Sequence, residues 1–132
     1  MTKDIMTDLL AKLSVPGLAI NQKEAYEGQF EDISDFLIVP PSAFVAVKRL
    51  TNSSEALCLN LDYYAEIYLV TTHIHASGSS SMLDLIDAVV AALHFQAVNQ
   101  GTYTGRIMFT DGDWLGIFPG FSAYKLNFTI RS

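Results

Sequence analysis

Residues Ala65 to Ala76 constrain the fold of this chain more than any other segment. Ile67, Tyr68, Leu69, Val70, Thr71, Thr72 and Ile74 are the branched, aromatic and large aliphatic types that favour an extended backbone. Side chains alternate across a strand, so Tyr68, Val70, Thr72 and Ile74 share one face, while Ile67, Leu69, Thr71, His73 and His75 share the other. Both faces carry apolar bulk. Such a strand belongs in the middle of a sheet, with a helix on one side and other cover on the second.

Two helices are available to cover it. Ile5, Leu9 and Leu13 recur at spacings of four within Met1 to Leu13, giving one apolar stripe, and Asp4 sits near the positive N-terminal end. Pro16-Gly17 stops that helix. The second runs from Met82 to about Gln96, with Leu85, Ile86, Val89 and Leu93 as its stripe and Ala88 and Ala92 beside it. Gly78 to Ser81 breaks the chain before it, with Ser81 as the expected N-cap and Asp84 three residues on.

Other strands are expected at Ala43 to Leu50, Ala56 to Leu61, Gly105 to Phe109 and Tyr124 to Ile130. In the first, Phe44, Ala46 and Lys48 point one way and Val45, Val47 and Arg49 the other. In the last, Tyr124, Leu126, Phe128 and Ile130 alternate with Lys125, Asn127, Thr129 and Arg131, so one face is buried and one polar. Leu18 to Ile20 reads as a strand start, and Asn21 to Phe30 as a polar connection. Pro40-Pro41 interrupts the run Phe36 to Val39, since neither proline donates to a ladder. Thr51 to Ser54 and Asp111-Gly112-Asp113 read as turns. The order predicts an α+β fold with a mostly antiparallel sheet and two main helices, one domain spanning residues 1–132, and no βαβ repeat.

Composition narrows the function. Half of the 132 residues are hydrophobic and 17% are charged, too apolar for disorder and enough for one core, with part of the surface expected to be covered by copies or partners. The net charge is −6, and only Lys48-Arg49 are adjacent basic residues. Phosphate backbones need clustered cations, so direct nucleic-acid binding is not expected. One cysteine, Cys58, flanked by Leu57 and Leu59, excludes an internal disulfide framework and reads as a small apolar strand residue. The N-terminus has no apolar signal region, and no apolar run approaches the ~20 residues that span a bilayer. A soluble protein made in a reducing cytoplasm is the expectation.

The residues that carry chemistry are few. His73 and His75 face the same side of one strand and form a candidate metal pair, against the simpler reading of hydrogen-bonded or surface histidines. A third ligand is missing, because His94 lies on the second helix. Asp84 and Asp87 read as a solvated helix face. Asp111-Gly112-Asp113 resembles the start of a calcium loop, but Trp114 to Phe118 follow where ligands would be needed. Ser79 to Ser81 lack a nucleophile-elbow setting, and no phosphate loop or dinucleotide fingerprint occurs. Glu31, Asp32 and Asp35 read as a solvated acidic loop or a site for a basic partner. No catalytic residue, cofactor site or enzymatic activity is predicted. The apolar segment Trp114 to Phe121 has two readings: a core strand with a turn, or an exposed loop that inserts into a neighbouring subunit.

The layout resembles the small tail proteins of Mu-like prophages, a group of the phage tail terminator and tail completion type. The resemblance is carried by the N-terminal helix, Tyr26-x-Gly28-x-Phe30, Pro41-Ser42-Ala43-Phe44-Val45 and the long strand ending at His75. Leu83-Asp84-Leu85-Ile86-Asp87-x-x-Val90 and Tyr124-x-Leu126-x-Phe128 complete it. Ser42 stands where the pattern has Ala, and Glu31 to Asp35 lie outside it. The resemblance implies a homo-oligomeric ring, commonly a hexamer, at the head-proximal end of the tail tube. Its partners would be tube and head–tail connector proteins, and its location the host cytoplasm during assembly and then the virion tail. Subunit contacts are expected at Phe44, Val45, Val47, Trp114, Phe118 and Phe121. The competing readings are another baseplate, connector or minor tail component, a small-ligand or metal-binding domain using the His73/His75 face, and an enzyme of unrecognised type.

Overall fold

Ala65 to Thr72 of the segment that is apolar on both faces lie inside the sheet, and His73 to Ala76 lie outside the described residues. The computed structural model describes residues 2–14, 20, 22–26, 41–50, 62–72, 78–100, 103–118 and 121–131. In chain order the elements are α1 (Thr2–Lys12), β1 (Gln22–Ala25), β2 (Ser42–Leu50), β3 (Asp62–Thr72), α2 (Gly78–Leu93), β4 (Ala97–Gln100), β5 (Tyr103–Phe118) and β6 (Phe121–Arg131). The six strands form one sheet in the order β1-β2-β3-β6-β5-β4. Only β1 and β2 pair in parallel; the other neighbours are antiparallel. The α+β expectation holds, and β3 is an inner strand.

Both helices cover the same face. Ile5, Leu9 and Leu13 of the first helical segment and Leu85, Val89 and Leu93 of α2 join one buried cluster. Ala43, Val45 and Val47 of β2, Ala65, Ile67 and Leu69 of β3, Ile107 of β5, and Leu126, Phe128 and Ile130 of β6 complete that cluster. Each fully buried Leu or Ile stabilises the fold by about 1.5–3 kcal/mol relative to exposure. Helix α1 touches β1 and β2 at one end of the sheet and β4 at the other. The sheet therefore curls, bringing its two ends to the same helix.

The end of α2 is held without glycine. Phe95 adopts a left-handed φ of 67°, a conformation that costs a side-chain-bearing residue about 1–2 kcal/mol. Its N–H donates to Ile107 O (2.7 Å), Gln96 N–H donates to Leu93 O (3.0 Å), and the Arg106 guanidinium donates to Phe95 O. His94 Nδ1 accepts the Phe109 N–H (3.0 Å), fastening the helix end to β5 beside a bulge.

Four expectations need correction. Helix α2 begins at Gly78, so Ser81 lies inside it and is not the N-cap. Strand β1 occupies part of the segment read as a polar connection; a short edge strand needs no apolar alternation. Strand β4 likewise stands directly after α2, where no strand is among those expected. Most consequentially, Asp111-Gly112-Asp113 is no turn: β5 runs through it for 16 residues. Bulges between Phe109 and Asp111 and between Trp114 and Gly116 absorb the irregularity, with Gly116 at φ +126°. The expected strand Ala56 to Leu61, Cys58 and the run Phe36 to Val39 lie outside the described residues.

Gly112 is required by its neighbour across the ladder, not by a turn. It faces Leu126 in register, and a Cβ there would stand 2.6 Å from Tyr124 Cε1 and 3.2 Å from Leu126 Cδ2. Gly112→Ala should therefore destabilise by about 1–3 kcal/mol through overpacking. That corresponds to a Tm lower by roughly 3–10 °C in thermal unfolding. The loss should shrink in a Tyr124→Ala background, where the ring is gone; an equal loss there would place the strain elsewhere.

Candidate functional site

The face of the sheet away from the helices carries the polar chemistry. Glu66 sits at its middle on β3, its side chain only 9% exposed. The register puts Ala46 of β2 on one side of it and Asn127 of β6 on the other. Lys48 and Lys125 reach it diagonally from those flanking strands. Lys48 Nζ lies 3.1 Å from Oε1, Lys125 Nζ lies 3.4 Å from Oε2, and Tyr68 O–H donates to Oε2 (3.1 Å). Lys125 also approaches Asp113 Oδ2 on β5 (4.0 Å). The result is a ladder of alternating sign across four adjacent strands: Lys48, Glu66, Lys125, Asp113.

Burial pushes the Glu66 carboxyl upward, but the Lys48 and Tyr68 hydrogen bonds and the two lysine charges outweigh it, leaving the carboxyl below its ordinary value. Burial pushes the Tyr68 phenol well up, and the neighbouring Glu66 charge adds to this. Tyr26 stacks on Tyr68 with ring centroids 4.2 Å apart and planes at 19°, tying the edge strand to the centre. Both Glu66 oxygens are thus engaged, and the carboxylate stays charged. The arrangement fixes the register of β2, β3 and β6, because a slip of one residue would put Glu66 on the apolar face. Beside it, Asn127 Nδ2 donates to Asp111 Oδ1 (2.7 Å), while Asn127 Oδ1 is buried with no partner among the described residues.

The second feature is the far half of β5, which lies at an edge of the sheet with β6, itself paired with β3, as its one strand neighbour among the described residues. Strand β4 pairs only with Tyr103 to Arg106 of β5. Beyond Phe109, β5 has β6 on one side and no strand neighbour on the other among the described residues. Trp114 is 54% exposed and Leu115 37%, and Thr110, Asp111 and Asp113 are exposed too. Trp114 leans on Tyr124 with centroids 6.5 Å apart.

The expected contact residues separate on this geometry. Phe44 and Val45 are 0% exposed and Val47 is 9% exposed within the single chain, so their bulk packs internally. They take both faces of β2: Val45 and Val47 pack under the helices, and Phe44 points to the opposite face. Trp114 is on the surface. Phe118 and Phe121 close the β5–β6 ladder as backbone partners, and their side chains lie outside the described residues. His73, His75, Glu31, Asp32 and Asp35 lie outside them as well. Asp84 and Asp87 are exposed on α2. Among the described residues, no three His, Cys, Asp or Glu side chains gather as a metal site, and no helix is long and apolar enough to cross a membrane.

Sequence reasoning missed the Glu66 cluster. Its signal was a carboxylate inside an otherwise apolar strand, on the face of Tyr68; its lysine partners become visible only once the register is known. No family model and no curated protein matches the chain.

Glu66→Gln removes the charge that both lysines share. With Lys48 free to turn to solvent, the loss should be about 1–2 kcal/mol, between an exposed and a buried pair. Because the folded carboxyl is lowered, its contribution is present above the ordinary carboxylate range and is lost as pH falls through the folded value. The Tm difference between wild type and Glu66→Gln should therefore be full at pH 7 and narrow below about pH 4. A constant difference across that range would show that the charge is not what matters.

Proposed function

We propose that this chain is a structural subunit of a phage tail, a terminator or completion protein whose copies close into a ring on the tail tube. The observation that carries the reading is the edge half of β5: Trp114 and Leu115 stand exposed on a strand that extends past its neighbour β4. An exposed aromatic–aliphatic pair beside acidic residues fits the anchors of protein–protein contacts. The layout of two helices against a mostly antiparallel sheet supports the same reading, as does a composition half hydrophobic. Ring closure needs two different complementary patches on each copy. The tube and the head–tail connector are the other partners, met in the host cytoplasm and retained in the virion. Contact residues on this reading centre on Trp114 and Leu115 and exclude Phe44, Val45 and Val47.

Light scattering on the purified chain should give a discrete closed oligomer, six copies being the expected number for this group. A monomer at all concentrations that also fails to bind tube ends would sink the proposal. Trp114→Glu replaces an exposed side chain, so unfolding should shift by no more than about 0.5 kcal/mol. The yield of complete tails in a complementation assay should nonetheless fall. Unfolding of the variant would place Trp114 in the core.

A further inference from the structure

The outer edge of β5 beyond Phe109, which has no strand neighbour among the described residues, offers a specific chemistry; it goes beyond the tail reading by seating another protein, and not a ring neighbour, beside Trp114. Between the two bulges, Asp111 to Trp114 keep regular register with Asn127 to Tyr124 of β6. Asp111 and Asp113 lie on the polar face, opposite Asn127 and Lys125, while Gly112 and Trp114 lie on the helix side, opposite Leu126 and Tyr124. The backbone groups on the outer side of this window have no strand neighbour among the described residues. An unpaired strand edge is a template for another strand.

The charges decide which strand. Two copies joined antiparallel through this window would set Asp111 of one against Asp113 of the other, twice over, and like charges directly opposite are destabilising. Self-pairing is disfavoured. Across the sheet the ladder runs Lys48, Glu66, Lys125, Asp113, alternating in sign from β2 through β3 and β6 to β5. The next strand in that series is basic. We propose that the β5 edge receives an extended segment of another protein, with Lys or Arg facing Asp111 and Asp113 and apolar residues facing Gly112 and Trp114. The basic residues extend the ladder by one rung; the apolar ones cover the half-exposed Trp114 ring and the Tyr124 ring that lies over Gly112.

Trp114 is the single tryptophan of the chain, so its emission reports the event directly. The probe is a capped synthetic peptide of alternating Lys and Val, titrated into the full-length protein. Three comparisons accompany it: the same peptide with Glu for Lys, the same peptide with alternate backbone nitrogens methylated, and Asp111→Asn/Asp113→Asn protein. The expected result is a saturable blue shift of Trp114 emission with the Lys–Val peptide. Affinity should fall at least tenfold for each comparison, and should weaken as salt is raised. No blue shift at millimolar peptide would overturn the proposal. So would equal binding of the methylated peptide, which would reduce the event to charge attraction without strand pairing. The peptide comparisons use wild-type protein and so survive any folding defect in the double variant. Light scattering on the same samples separates this test from the tail reading. Peptide binding by a permanent monomer would support this inference and count against the ring. A ring whose Trp114 is already blue-shifted and does not respond would make the occupant a second copy and overturn this inference.

Discussion

A strand buried on both faces must satisfy two environments at once, and β3 sets the terms for everything around it. On the helix side, Ala65, Ile67 and Leu69 require continuous apolar cover, which α2, β2 and β6 supply. On the other side, Glu66 sits between the half-buried Tyr64 and Tyr68 and the fully buried Val70, and a carboxylate there is tolerable only if its charge is answered. Lys48 and Lys125 answer it from the two flanking strands. The apolar face supplies the driving force, which is indifferent to register in detail. The charged face supplies the register. Neither would specify this sheet alone.

Much of this was legible in the residues. The 3.6-residue stripes of both helices and the face assignments of β2, β3 and β6 follow from periodicity, and the buried clusters agree with them. What periodicity cannot reveal is pairing. Nothing local says that β3 lies beside β6, or that Lys48 and Lys125 converge on one carboxylate. Short edge strands escape for a related reason: β1 and β4 have four residues each, too few to display an alternation. The Asp111-Gly112-Asp113 segment misleads because glycine between aspartates is the signature of a hairpin turn. Here the glycine answers the Tyr124 ring across the ladder, a tertiary demand that has no local trace.

The same distinction governs the candidate site. The exposed Trp114 belonged to an apolar segment with two open readings, and the structure takes something from each: Trp114 to Phe118 is strand, yet Trp114 and Leu115 face solvent. Phe44, Val45 and Val47 read in the sequence as apolar bulk beyond what one small core requires. With Phe44 and Val70 fully buried on the polar side, there is no surplus in β2 to explain.

The strand order also bears on how such a chain is made. The innermost pairing joins residues 62–72 to residues 121–131, so the sheet's central seam spans about half the chain. During synthesis α1, β1, β2 and β3 emerge with an exposed apolar face and one open flank, and α2 can cover only part of it. Closure waits for β6. Non-local pairing of this kind slows folding and leaves intermediates with sticky edges. The chain should thus commit to its native state late and all at once, when β6 becomes available, rather than element by element. A product cut short before Phe121 would have no partial version of this fold to fall back on.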